Sequence, residues 1–270
     1  MKVLQLTAHY APNIGGVETH LTDLVEGLAS KAYEVFVLTY QPLTAKKKWK
    51  LYEKTNNTQV LRTPWLAGMF YRLVHFPILE FLYLLPGLFV VTPFVLLYFN
   101  PEVIHAHGLV AGAVGVFWGK LFGKRVVISL HSIYSFPQSG LYRNFVTWIF
   151  NMADRVIGLS LQSEKEIRSL GITKSGHFTY WIEMNKFKPQ KIGAQEFNVL
   201  FVGRLVKEKG VLELNQAAKA LKKFGVVVRV AGLGPESDKL NNCELLGAVS
   251  QDDLPKVYSS ASVLIVPSIH

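Results

Sequence analysis

The sequence is almost devoid of cysteine. Cys243 is the single thiol among 270 residues, so neither an intramolecular disulfide nor a cysteine-rich zinc site can form, and a reducing compartment suits the chain. Acidic residues are scarce beside basic ones: 19 Asp and Glu against 29 Lys and Arg leave a formal charge of +10. That imbalance favours an acidic partner, whether nucleic acid, an anionic membrane surface or a phosphorylated substrate. The opening M-K-V-L-Q-L-T-A-H-Y has too short an apolar core for a signal peptide. There is no solenoid-type repeat and no low-complexity tract. The first glycine loop lacks the G-x-G-x-x-G spacing, which excludes the dinucleotide fingerprint there. Apolar residues, in contrast, make up 50% of the chain, enough for sizeable cores, and the length fits two domains.

What is present alternates between short apolar runs and helical patterns. Residues 3–7 predict a buried strand, 9–16 a loop, 17–29 a helix and 35–39 a second strand. This order opens a doubly wound α/β domain. Further strands are expected at 59–63, 103–106, 126–130, 155–159 and 178–182. Helices are expected at 111–122, with small residues on one face, at 141–151 and at 163–170, where Ser163 and Glu166 have capping-box spacing. Residues 186–195 are polar, contain Pro189 and Gly193, and read as a linker between a domain at 1–190 and another at 195–270.

The second domain opens with N-V-L-F-V-G-R-L-V-K-E-K-G at 198–210. A strand at 199–202, a basic turn and a helix at 211–224 begin a βαβ unit. The turn offers Arg204, Lys207 and Lys209 where a helix starts, and helix N-termini already attract anions. Arg is a planar fork and Lys a point charge, so together they suit a diphosphate. A solvated basic turn is the plainer alternative. Strands at 226–231, 244–246 and 263–266 follow, with a helix at 252–260. Pro235 suits a helix start, and Gly232 and Gly234 free the backbone beside a ligand.

Two other stretches stand out. Residues 44–54, T-A-K-K-K-W-K-L-Y-E-K, read as a solvated loop or as a membrane-surface contact through Trp49, Leu51 and the lysines. Residues 76–99 are the most apolar part. Pro86-Gly87 is expected to break them into two helices, each too short to cross a bilayer. These helices either bury against the sheet or dip an outer face into the membrane interface. Trp65, Phe70, Tyr71 and Arg72 favour the second. His107 and His131 fall at strand ends, where open α/β sheets bind ligands. His105 and His107 share a strand face, but no carboxylate or cysteine accompanies them, so no metal is expected.

Six stretches in order resemble the retaining nucleotide-sugar glycosyltransferases of family 4, which have the GT-B fold: A-P-N-I-G-G-V-E (11–18), V-I-H-A-H-G (103–108), V-I-S-L-H-S (127–132), V-G-R-L-V-K-E-K-G (202–210), A-G-L-G-P-E (231–236) and residues 246–268. The resemblance implies two Rossmann-like domains facing a cleft, with the acceptor on the first and the donor mainly on the second. By motif position, His131 lies beside the transferred sugar as the catalytic histidine. Arg204 and Lys209 hold the donor diphosphate, Gly15 and Gly16 back the phosphate or sugar, and Gly232 and Gly234 lie near the nucleotide. His107 and Glu18 line the cleft or acceptor side. The implied activity is hexosyl transfer with retention, from a nucleotide-diphosphate sugar to a glycan or lipid-linked acceptor. No metal or other cofactor is implied. The basic run and the apolar stretch near 65–99 add a peripheral position on the anionic inner face of a membrane, in the cytoplasm.

The departures from the family pattern are specific. The E-G-F-G run and second glutamate expected after Pro267-Ser268 are missing, as are the closing helices. P-N-G-V-D is replaced by Y-W-I-E-M at 180–184, and G-H-E-V by A-Y-E-V at 32–35. The second domain therefore reads as incomplete, and the chain as truncated, with little transfer activity expected of 270 residues. The alternative reading is a non-catalytic relative that binds nucleotide or membrane as a partner subunit. A nucleic-acid binder has only the charge in its favour, since Lys and Arg are spread rather than clustered on one helix. A GT-B epimerase fits the basic turn and the apolar stretch poorly.

Overall fold

A computed structural model describes the chain except residues 14, 45–46, 74–75, 132–135, 181–183, 185–186, 191–196 and 270, and the side chains of Tyr71 and Pro77. Ser132, Lys46, the end of the strand expected at 178–182 and much of the expected linker lie outside the described residues. The chain divides into two compact units, Met1–Trp181 and Ile182–His270.

In the first unit, β1 (Lys2–Thr7), α1 (Gly16–Ser30), β2 (Glu34–Tyr40), β3 (Tyr52–Lys54) and β4 (Thr58–Thr63) come first. A short α2 (Phe70–Leu73) and a long α3 (Pro77–Phe99) follow. Then come β5 (Val103–His107), α4 (Leu109–Leu121), β6 (Arg125–Ser129), α5 (Leu141–Met152), β7 (Arg155–Gly158), α6 (Leu161–Ser169) and β8 (Ser175–His177). The eight strands order as β3-β4-β2-β1-β5-β6-β7-β8. All neighbours are parallel except the β3–β4 pair. The chain winds outward from β1 in one direction and then returns to its other side at β5. This reversal leaves a crevice beyond the carboxyl ends of β1 and β5.

Period-two alternation sorts the sheet's faces. Val35 and Val37 meet Leu21 and Val25 of α1 on one side. Phe36, Leu38 and Tyr40 join Leu88 and Leu96 of α3 and Val114 of α4 on the other. Gly112, Gly115 and Gly119 form the small face of α4. A Cβ on them would stand 3.1 Å, 3.3 Å and 2.4 Å from side chains of β5 and β6, so the missing side chains let α4 lie close on the sheet.

Several expectations need correction. Residues 76–99 do not break at Pro86-Gly87: α3 is one helix with Pro86 and Pro93 inside it. The reason is that neighbouring side chains replace the backbone bonds. The Tyr40 hydroxyl donates to Leu84 O (2.6 Å) and accepts from Leu88 N (2.9 Å), standing between two groups that pair directly in a straight helix. Gly87 permits this, because a Cβ there would lie 2.6 Å from the Tyr40 oxygen. Pro93 has no N–H for Phe89 O, and Trp118 Nε1 supplies one at 2.8 Å. Trp65 Nε1 likewise donates to Tyr83 O at 2.8 Å. The helix is thus long and apolar enough to cross a membrane by length and composition, with a mean hydropathy of 2.0 over Ile78–Phe99, while its inner side packs on β2 and α4.

Smaller corrections are local. The basic run includes the edge strand β3, held by Arg62, whose Nη1 bonds Lys50 O at 3.2 Å and Glu53 at 3.2 Å. The cap of α6 is Ser160, not Ser163: its Oγ accepts from Ser163 N at 3.2 Å. The strand expected at 178–182 is instead β8, ending at His177.

In the second unit, β9 (Asn198–Val202), α7 (Val211–Leu221), β10 (Val227–Ala231), β11 (Glu244–Gly247), α8 (Leu254–Ser259) and β12 (Val263–Leu264) form a parallel sheet ordered β11-β10-β9-β12. Its winding reverses between β9 and β12, so the second crevice lies beyond β9. Pro235 starts a turn rather than a helix; only a 3-10 segment, Ser237–Lys239, follows.

Candidate active site

The first crevice is organised by a column of polar side chains on adjacent strand ends. The register places Gln5 beside His105, and Thr7 beside His107, which in turn pairs with Ser129. His107 Nε2 lies 2.6 Å from Gln5 Oε1, and its Nδ1 lies 2.8 Å from His131 Nε2. His131 Nδ1 lies 2.7 Å from the Tyr180 hydroxyl. One assignment satisfies the chain. Gln5 Oε1 accepts from His107 Nε2–H, so His107 Nδ1 accepts from His131 Nε2–H, and His131 Nδ1 accepts from Tyr180. His105 pairs separately with Ser129 Oγ at 2.7 Å.

Burial keeps these imidazoles neutral. It lowers His131 to about 3 and His105 to about 4, and neighbouring histidines add to the effect. His107 is pushed well below the ordinary range for the same reasons. His20, on α1, falls to about 4 through burial alone and stacks on Tyr180 at 4.3 Å. Burial raises Tyr180 to about 12, with Glu18 adding to the shift.

A cavity of about 500 Å³ extends from this column. Thr7, His9, His107 and His131 line one part of it, and the first turn of α4 another. Ile78, Phe81 and Leu82 of α3 and Leu141 and Phe145 of α5 line a further part. Glu80 and Tyr142 also line it. Burial raises the Glu80 carboxyl above the ordinary range, and burial together with Glu80 raises Tyr142.

The structure brings His107 and His131 together in this crevice. Gly15 caps the N-terminus of α1, where a Cβ would meet the Glu18 carboxylate at 2.3 Å. Gly16 faces open space. Sequence reasoning passed over Gln5, His20 and Glu80 as site residues, and treated Tyr180 only as a departure from a motif. Nothing in their local pattern marks them, because the contacts that group them span most of the first unit. Among the described residues no group of three or more His, Cys, Asp or Glu is arranged to hold a metal ion.

At the second crevice, Arg204 is exposed and Lys209 partly buried on the turn leaving β9. Among the described residues neither has an ion-pair partner. Gly232 and Gly234 seat this turn: a Cβ on them would lie 1.8 Å from Gly203 O and 2.2 Å from Leu205 O. Leu205 N bonds Leu233 O, and Glu236 N bonds Leu205 O. The glycines are thus required by the meeting of two backbone loops, which holds the basic turn in place.

Two doubly wound sheets, parallel except for the β3–β4 pair and each with a crevice at its winding reversal, define the architecture as GT-B. The sequence comparisons carry this further. Residues 14–177 match Glycosyltransferase Family 4 and residues 183–270 match Glycosyl transferases group 1. The chain belongs to glycosyltransferase family 4, and it is a transferase. An uncharacterized glycosyltransferase of Methanocaldococcus jannaschii is 27% identical, aligned over 100% of this chain and 75% of its own length. A GDP-mannose-dependent alpha-mannosyltransferase of Corynebacterium glutamicum is 24% identical over 99% of this chain and 67% of its own length. The solved sucrose-phosphate synthase of Thermosynechococcus elongatus superposes with a TM-score of 0.78 at 19% identity, covering 99% of this chain and 75% of that one.

Proposed function

We propose that the protein transfers a sugar from a nucleotide-diphosphate sugar to a lipid-linked or membrane-borne acceptor, with retention of configuration and without a metal. The observation that carries the donor part is the turn bearing Arg204 and Lys209, held rigidly by Gly232 and Gly234 at the second crevice. As the sugar–phosphate bond breaks, positive charge develops on the sugar and negative charge on the departing diphosphate. Two positioned cations lower that barrier and replace a divalent ion. The acceptor hydroxyl attacks from the face the diphosphate leaves, which retains configuration. The role proposed for His131, neutral in the first crevice, is to accept a hydrogen bond from the transferred sugar once Tyr180 yields Nδ1. The Corynebacterium relative, a GDP-mannose-dependent enzyme, supports a nucleotide-sugar donor.

The acceptor part rests on the outer side of α3, where Ile78, Leu82, Val90, Phe94, Leu97 and Tyr98 are exposed. With Lys47, Lys48, Trp49 and Lys50 exposed as well and a charge of +10, this surface suits peripheral binding to an anionic inner leaflet from the cytoplasm. Calorimetry with UDP, GDP and the free nucleosides tests the donor site. Arg204→Ala and Lys209→Ala should each weaken diphosphate binding by roughly 10-fold or more, the cost of a charge-assisted contact, with little effect on the nucleoside. Equal binding by wild type and both variants would overturn the assignment.

A further inference from the structure

We propose that the cavity between α3 and α5 seats the hydrocarbon of an amphiphilic acceptor whose head group is short and uncharged, with Glu80 accepting a hydrogen bond from a head-group hydroxyl. This rests on the sugar-transfer reading and narrows its acceptor.

Four observations carry it. First, polar and apolar side chains line the same cavity. The histidines share one space of about 500 Å³ with Ile78, Phe81, Leu82, Leu141 and Phe145. A space of that size holds one drug-sized ligand. The reacting hydroxyl and the hydrocarbon must therefore lie within one small molecule's length of each other, which a long glycan head does not allow.

Second, the apolar wall is also outer surface. Ile78 is 71%, Leu82 59% and Leu141 89% exposed, so the cavity opens beside the apolar side of α3. A chain can enter there from a hydrocarbon phase without crossing water.

Third, no Lys or Arg is among the described lining residues, although the protein carries a formal charge of +10. A phosphate drawn into this space would find no cation, only the partial charge at the N-terminus of α4, to offset its lost hydration, a cost that buried anions avoid by full pairing. Phosphate-bearing head groups are thereby disfavoured and hydroxylated neutral ones favoured.

Fourth, Glu80 is the only carboxylate among those residues, and among the described residues its side chain has no hydrogen-bond or ion-pair partner. A half-buried carboxylate without a protein donor is open to a hydrogen bond from a ligand in the cavity it lines. A ligand hydroxyl supplies that bond, with the Tyr142 phenol lining the same cavity.

Calorimetry on the full chain tests the proposal with n-decyl β-D-glucoside below its micellar concentration, n-decyl phosphate and glucose. UDP and GDP titrations run alongside, and a thermal melt of every variant confirms folding. Wild type should bind decyl glucoside roughly 10-fold or more tighter than decyl phosphate, with glucose undetectable. Glu80→Leu should weaken decyl glucoside roughly 10-fold, the worth of one hydrogen bond to a charged group, and leave diphosphate binding unchanged. Glu80→Gln, which keeps an acceptor oxygen, should fall between the two. Decyl phosphate binding as tightly as decyl glucoside, or no difference between wild type and Glu80→Leu, would overturn the proposal. Failure of the wild type to bind UDP and GDP would instead count against the sugar-transfer reading, so the two failures are separable.

Discussion

Burial of imidazole sets the chemistry of the first crevice. His20, His105, His107 and His131 are all held below the ordinary histidine range, chiefly because their charged forms would lose water. A neutral ring can donate at one nitrogen and accept at the other, which is what a relay from Tyr180 to Gln5 requires. The same shifts predict a pH dependence of stability. Below about pH 6.5 the unfolded chain binds protons at these positions while the folded chain does not. The contribution of these rings to stability is therefore fully present above about pH 7 and is lost as pH falls from about 6.5 towards 4. Glu80, whose carboxyl is raised, offsets part of that loss. Urea midpoints measured from pH 7.5 to 4.5 should fall by an amount worth several kcal/mol for the set, since each tenfold loss of proton affinity on folding is worth about 1.4 kcal/mol. A flat profile would mean the rings take up protons in the folded state as readily as in the unfolded chain. The sequence showed His107 and His131 only as strand-end residues, and His131 was singled out by the family resemblance. Their neutrality and linkage were not legible, because Gln5, His20 and Tyr180 reach them from distant parts of the unit.

At the scale of elements, α3 shows a helix continued by its neighbours. Proline inside a helix costs about 3 kcal/mol when nothing compensates. Here Tyr40, Trp65 and Trp118 bond carbonyls near Pro86 and Pro93. Gly87→Ala is informative because two effects oppose. Alanine favours a helix interior by about 1 kcal/mol. Its Cβ, however, would lie 2.5 Å from the Tyr40 ring, and displacing Tyr40 would orphan Leu84 O and Leu88 N at about 1–3 kcal/mol each. The variant should be destabilised by about 2 kcal/mol or more, read from urea unfolding. A neutral or stabilising result would mean that α3 straightens without Tyr40. The proline pair signalled a break in sequence, and only the indoles and the phenol packed around it reversed that expectation.

For the whole molecule, charge and apolar surface act together. In the proposed membrane-bound state the exposed side of α3 would supply hydrocarbon contact, and each lysine near an anionic leaflet would add about 1 kcal/mol. Co-sedimentation should show binding to vesicles containing anionic lipid that weakens as salt rises and is poorer on neutral vesicles. Replacing Phe94 and Leu97 by Glu should reduce binding at every salt concentration, because their side chains are exposed and carry no core packing. Binding that is unaffected by these changes would count against the membrane reading.

The sequence by itself determined the winding of both units. Short apolar runs alternating with helical periods leave few ways to bury both faces of a parallel sheet, and the glycine and basic turns mark where the winding leaves room for a ligand. It also determined the family, through motifs whose order matters more than any one of them. The tertiary structure decided the rest: that α3 is continuous, that Gly232 and Gly234 are required by the turn they seat, and that Glu80 shares a cavity with His107 and His131. Each depends on side chains brought together from far apart in the chain, and local periodicity carries no record of such contacts.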